Sequence, residues 1–182
     1  MKRTPIIVVA AVLLAAVAGC TPDAQETPTP EPVVSTPTPT PTQQWTEEEQ
    51  AAIDAVQHYL AVWTYISQNL QTADWNAIRD VASDPAANDA GTLWVQWNDN
   101  GWHLVGEPIF TPDDVSLGGL DYVGQRYHVH GCYSIEESYL ADSNGDEVGQ
   151  KGEPRSVALY QVMKNPDGRY YVFEDDGEDT PC

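Results

Sequence analysis

This sequence predicts an α+β domain in which helices come first and an antiparallel meander second. Three observations carry the prediction. Apolar residues recur at spacings of three and four from Ala52 to Leu70, directly behind a Thr46-Glu47-Glu48-Glu49 start signal. From about residue 102 the period falls to two, most clearly over Gln125 to Ile135. Asn144-Gly145 and Asp167-Gly168 then mark tight turns between runs that read as strands.

The chain opens on Lys2 and Arg3, followed by an uncharged apolar run from Ile6 to Ala18. That run is shorter than the roughly 20 residues a membrane-spanning helix needs, and it fits the core of a signal peptide. It ends in Val17-Ala18-Gly19-Cys20, which resembles the lipobox of bacterial lipoproteins. The resemblance implies cleavage after residue 19 and attachment of palmitate-type acyl chains through Cys20. The mature protein is then anchored on the outer face of a cell membrane. A plain secretory signal cut elsewhere, with Cys20 a spare thiol, is the other reading of the same residues.

Loss of Lys2 and Arg3 with residues 1–19 moves the formal charge from −20 to −22. Phosphate backbones and anionic headgroups repel so acidic a surface, so no nucleic-acid partner is expected and membrane attachment falls to the acyl chains. Residues 20–44 form a tether in which threonine alternates with proline, as in Thr36-Pro37-Thr38-Pro39-Thr40-Pro41. Proline fixes φ and removes amide donors, which favours extended polyproline II. At about 3.1 Å per residue the tether reaches up to about 75 Å.

The folded domain is placed at 45–182. Thr46 and Glu49 form a capping box, and three glutamates in the first turn suit the helix dipole. Ala52, Val56, Tyr59, Trp63, Ile66 and Leu70, with Ile53 and Leu60, make one apolar stripe on a helix of about six turns. His58 falls on the opposite face. Asp74 caps a short helix over 75–81. Asp84 followed by Pro85 reads as a cap and first-turn signal for another, which the Asn98 to Gly101 run terminates. Residues 102–106 open an extended segment, and 108–121, containing Gly118 and Gly119, read as a loop.

Gln125 to Ile135 is the clearest strand. Tyr127, Val129, Gly131 and Tyr133 lie on one face, and Arg126, His128, His130 and Cys132 on the other. Arg155 to Lys164 and Arg169 to Glu174 supply two more strands, and an acidic tail from Asp175 closes the chain. Cys132 and Cys182 are the two cysteines besides Cys20, and an even pair in an exported protein reads as a disulfide.

The lipobox with its tether, the capped helix from Thr46, the Tyr127 to Tyr133 strand, the 167–172 hairpin and the closing Thr180-Pro181-Cys182 together resemble the NTF2-like (cystatin-like, SnoaL-type) superfamily. The resemblance is strongest to the small lipoproteins of that fold in actinobacteria. It implies a cone, in which a long N-terminal helix and two short ones pack on a curved antiparallel sheet whose open end often holds a small apolar ligand. Fold alone does not decide activity. On this register Val56, Tyr59, Trp63 and Ile66 meet Tyr127, Val129 and Tyr133 across a cavity. His128 and His130 then point away from it, and Cys132 stands ready to meet the C-terminus.

Candidate chemistry is sparse. His128 and His130 could give two imidazoles to a metal, but no Cys-x-x-Cys or His-Glu-x-x-His supplies further ligands, so no metal is assigned. Asp142-Ser143-Asn144-Gly145-Asp146-Glu147 has glycine fourth, not sixth as a calcium loop requires, and reads as a turn. Ser134 and Ser138 lack a nucleophile-elbow context. No phosphate loop is present, and neither a cofactor nor a catalytic residue is assigned. The six tryptophans between 45 and 102 could line a binding wall or fill the core. The expectation is a non-enzymatic domain that binds a small apolar ligand or an envelope protein. A hydrolase or isomerase using an Asp, His or Tyr in the cone is the alternative, and a purely structural envelope protein the third reading.

Overall fold

The computed structural model describes residues 44–121, 124–149 and 154–182. The signal segment, Cys20 and the tether lie outside the described residues. The domain is α+β, with helices packed on an antiparallel curved sheet. Helix α1 (Glu47–Gln68) is followed by a 3₁₀ helix (Trp75–Asp80) and α2 (Asp84–Asn100). Strands β1 (His103–Val105), β2 (Ile109–Asp121), β3 (Gly124–Ser134), β4 (Tyr139–Ala141), β5 (Arg155–Lys164) and β6 (Tyr170–Pro181) complete the chain. The main sheet runs β2-β3-β5-β6, and β1 pairs with β4 in a separate ribbon.

The capping box forms: Thr46 Oγ1 accepts from the Glu49 amide at 3.3 Å, and Glu49 Oε2 accepts from the Thr46 amide at 2.8 Å. The apolar stripe buries Ala52, Ile53, Val56, Tyr59 and Ile66. These meet Val115, Tyr127, Val129, Tyr160, Val162 and Val172 of the sheet. Full burial of such a valine or isoleucine stabilises the fold by roughly 1.5–3 kcal/mol. At the start of α1, Glu48 accepts from Tyr127 Oη at 2.8 Å and from Lys164 Nζ, tying the first helical turn to β3 and β5. Those two hydrogen bonds, with the Lys164 charge, hold the Glu48 carboxyl below its ordinary pKa. Ser67 and Trp94 are both completely buried, and the indole N–H of Trp94 donates to Ser67 Oγ at 2.8 Å, pinning α2 to α1.

Three expectations are corrected. The stretch from 108, expected as a loop, is mostly strand β2. Its glycines and proline mark irregularities on an edge strand, where a missing amide and positive φ are tolerated. The register slips between Pro112 and Asp114 and again between Leu117 and Gly119, and Gly119 has φ of 113°. Helix α2 is capped at Ser83, which takes extended φ and ψ, while Asp84 sits in the first turn and pairs with Arg79. The acidic tail is strand as well: β6 continues to Pro181, which pairs with Ser156.

The 142–146 turn is local chemistry. Asp142 Oδ1 accepts from the amides of Asn144 and Asp146 at 2.8 and 3.0 Å, and Gly145 takes φ of 87°. These backbone hydrogen bonds lower the Asp142 pKa. Cys132 and Cys182 are disulfide-bonded, with Cα atoms 5.8 Å apart, so the last residue is fastened near the C-terminal end of β3.

Candidate functional site

Alternation on β5 turns Ala158, Tyr160 and Val162 toward α1. Their partners on β6 are Gly177, Asp175 and Val172. Two steps on β5 are therefore matched by two residues and then by three on β6. The extra residue is a β-bulge near Phe173, and it reverses the parity of everything beyond it. Asp175 consequently faces the concave side, opposite Tyr160.

The Tyr59 hydroxyl donates to Asp175 Oδ2 at 3.2 Å. Tyr59 and Tyr160 are almost wholly buried and stand edge to face at 6.3 Å, and Phe110 meets Tyr160 edge to face at 5.1 Å. Tyr59, Tyr160 and Asp175, with Trp63 and Leu60 of α1, Asp89 and Leu93 of α2, and Tyr133 of β3, border a recess of about 250 Å³. Gly177 borders it too, and a Cβ there would meet only open space.

Surrounding protein pushes the Asp175 carboxyl up to about 6; the Tyr59 hydrogen bond opposes this, while the like charges of Asp176 and Asp89 add to it. Asp175 nevertheless keeps an exposed surface, so water reaches it. Crowding and access together describe a carboxyl at the foot of an open cleft, partly desolvated and still able to exchange protons. The phenols of Tyr59, Tyr133 and Tyr160 are raised above the ordinary tyrosine value, chiefly by burial and then by the Asp175 charge, and hold their protons at any physiological pH.

Trp63, Leu93 and Tyr133 also border a second, outer chamber of about 640 Å³. Its walls include Trp97, Leu104, Pro108, Tyr139 and Leu140. Trp63 and Trp97 meet edge to face at 5.9 Å. Polar groups are few: Glu136, Ser138 and Glu147. Inner recess and outer chamber adjoin at Trp63, Leu93 and Tyr133, and the outer one lies within the roughly 300–1,000 Å³ usual for ligand pockets.

Of the seven wall residues expected from sequence, Tyr59, Trp63 and Tyr133 border the recess. Val56, Ile66, Tyr127 and Val129 share that inward side but are packed into the core and border neither chamber. His128 and His130 alternate with them on the other side of β3, with Cys132. Among the described residues no group of three or more His, Cys, Asp or Glu is arranged to hold a metal. Asp175 is the residue that sequence reasoning missed, because Glu174, Asp175 and Asp176 are consecutive acids and only the bulge decides which one points inward.

No protein-family model matches the chain, and no curated protein matches it. Among solved structures, the intermembrane-space region of the chloroplast protein ARC6 is similar at a TM-score of 0.48 and 11% identity, covering 74% of this chain and 98% of that one. An iota-carbonic anhydrase from a cyanobacterium, solved with bicarbonate, is similar at 0.42 and 11% identity, covering 80% and 98%. A protein from Catenulispora acidiphila is similar at 0.40 and 11%, covering 72% and 93%. At these identities no residue role is carried across.

Proposed function

We propose that this chain is a lipid-anchored, extracytoplasmic protein whose NTF2-like cone binds a small ligand. The observation that carries the reading is the pair of adjoining aromatic cavities walled by Tyr59, Trp63, Trp97, Tyr133 and Tyr139. Aromatic walls supply large apolar contact area at little entropic cost, and the polar groups beside Asp175 fix orientation. Native mass spectrometry of the protein purified from its own cells tests the proposal. A stoichiometric small molecule released on unfolding is the expected result, and an empty domain that binds nothing from a cell extract would refute it.

The anchor is part of the same proposal. Cys20→Ala should remove the acyl modification, block cleavage before residue 20 and shift the protein out of the membrane fraction. One acyl chain anchors only marginally and two anchor stably, so retention should be lost outright. An unacylated wild-type N-terminus would remove this element.

Acid–base catalysis in the cone is the second reading, and Asp175 is the observation that favours it. A carboxyl with pKa of about 6 takes up and returns protons near neutral pH. Tyr59, which stays protonated, would orient it. Exchange of solvent deuterium into carbon acids by the wild type, lost in Asp175→Asn, would support catalysis. Binding without exchange leaves the first reading standing.

A further inference from the structure

The cleft carries charge of one sign. Asp89 and Asp175 border its inner recess and Glu136 its outer chamber, while no lysine, arginine or histidine is found among the described residues of either wall. The groups acting on the Asp175 carboxyl repeat the pattern: Tyr59 from α1, Asp89 from α2 and Asp176 from β6, with no cation. Tyr133 from β3 and Tyr160 from β5 also face it, both with protonated phenols.

Each ligand class fares differently in such a cleft. An anion would meet the carboxylates of Asp89, Asp175 and Glu136 in a setting that screens charge less than open water does. A neutral hydrocarbon would gain the aromatic walls, but it would strip water from an ionised carboxylate that has one hydrogen bond from Tyr59. A cation gains on both counts. An ammonium brings three donors to the carboxylate, and indole and phenol faces attract positive charge by a further 0.5–2 kcal/mol or so.

We propose that the ligand is an organic cation: a protonated amine, held at Asp175, on an apolar or aromatic body that lies against Trp63, Trp97 and Tyr139. This rests on the ligand-binding reading above and names the chemical class. The overall charge, −20 for the whole sequence and −22 without residues 1–19, adds long-range attraction for the same class.

Three probes with one aromatic body separate the possibilities: naphthylmethylamine, naphthylmethanol and naphthoate. They are titrated calorimetrically near neutral pH into the full chain in lipid nanodiscs, with empty nanodiscs as reference. The amine should bind about tenfold more tightly than the alcohol, and the carboxylate most weakly. Asp175→Asn should bring amine and alcohol within about twofold of each other, because the amine loses its charge partner and the alcohol no longer desolvates a carboxylate. Asp89→Asn, at an exposed helix position where folding is not at stake, should cut the amine's advantage about twofold, and it serves alone if Asp175→Asn does not fold. Gly177→Leu fills open space beside Asp175 and should weaken amine and alcohol alike by about tenfold or more.

Equal binding of amine and alcohol, with neither Asp variant changing the ratio, overturns the cation assignment and leaves ligand binding intact. Amine binding untouched by Gly177→Leu overturns the placement. Failure of all three probes to bind overturns both the assignment and the reading beneath it.

Discussion

Tyr59 on the first helix donates its phenolic proton to Asp175 on the last strand, across 116 positions of sequence. The contact joins the two ends of the folded domain at the floor of the cleft. It also sets a pH signature. Asp175 has its pKa raised to about 6 in the folded state, so in that state the neutral carboxyl is favoured. Its contribution to stability is greatest below the unfolded carboxylate range and is lost as pH rises through about 6. Asp175→Asn should therefore leave stability unchanged or raise it above pH 6, by no more than about 1 kcal/mol because water reaches the site. Thermal melts of the two proteins between about pH 4 and 7 check this, the variant showing the flatter profile.

Tyr59→Phe removes the hydrogen bond that opposes the upward shift at Asp175. The Asp175 pKa should climb further above 6 on carboxyl NMR titration. A fall, or no change, would show that the phenol does not stabilise the ionised form.

Ser67→Ala should cost about 1–3 kcal/mol, because it strands the buried indole N–H of Trp94 without an acceptor. Urea unfolding measures it. A loss under about 0.5 kcal/mol would mean that water or a shifted side chain replaces the hydroxyl.

Gly131→Ala tests how closely β2 and β3 approach. A Cβ at this position would strike the Thr111 carbonyl oxygen and come within 2.6 Å of the Phe110 ring, which packs on Tyr160. The backbone cannot yield without disturbing the cross-strand pair, so about 1–3 kcal/mol should be lost. A wild-type melting temperature would show that the aromatic cluster relaxes freely.

Reducing the Cys132–Cys182 bond opens a loop with a sequence separation of 50. On the chain-entropy model this should cost about 4 kcal/mol. Intact mass with and without reductant, then chemical denaturation of each form, provides the check. Equal stability would place the strength of the C-terminal strand in its pairing with β5 alone.

Much of this architecture was legible along the chain. The capping box at Thr46 and Glu49, the stripe from Ala52 to Ile66 and the alternation of Tyr127 with His128 depend on neighbours a few residues apart. Local spacing therefore specified α1 and β3 and the inward side of both. The glycines of β2 misled for the same reason. Gly118 and Gly119 suggest a loop to a local reading, and only pairing with β3 makes them strand.

Sequence by itself thus determined the helices-then-sheet order, the apolar faces, the Cys132–Cys182 pairing, and the acidity of the whole. Tertiary structure alone decided what the cleft presents. Glu174, Asp175 and Asp176 are chemically near-equivalent neighbours, and a strand's period of two offers either parity. The bulge opposite Gln161 and Val162 chose Asp175, and helix α1, folded back over the sheet, set Tyr59 beside it. A parity choice has no local signal, because it is made by hydrogen bonds to a strand that lies elsewhere in the chain.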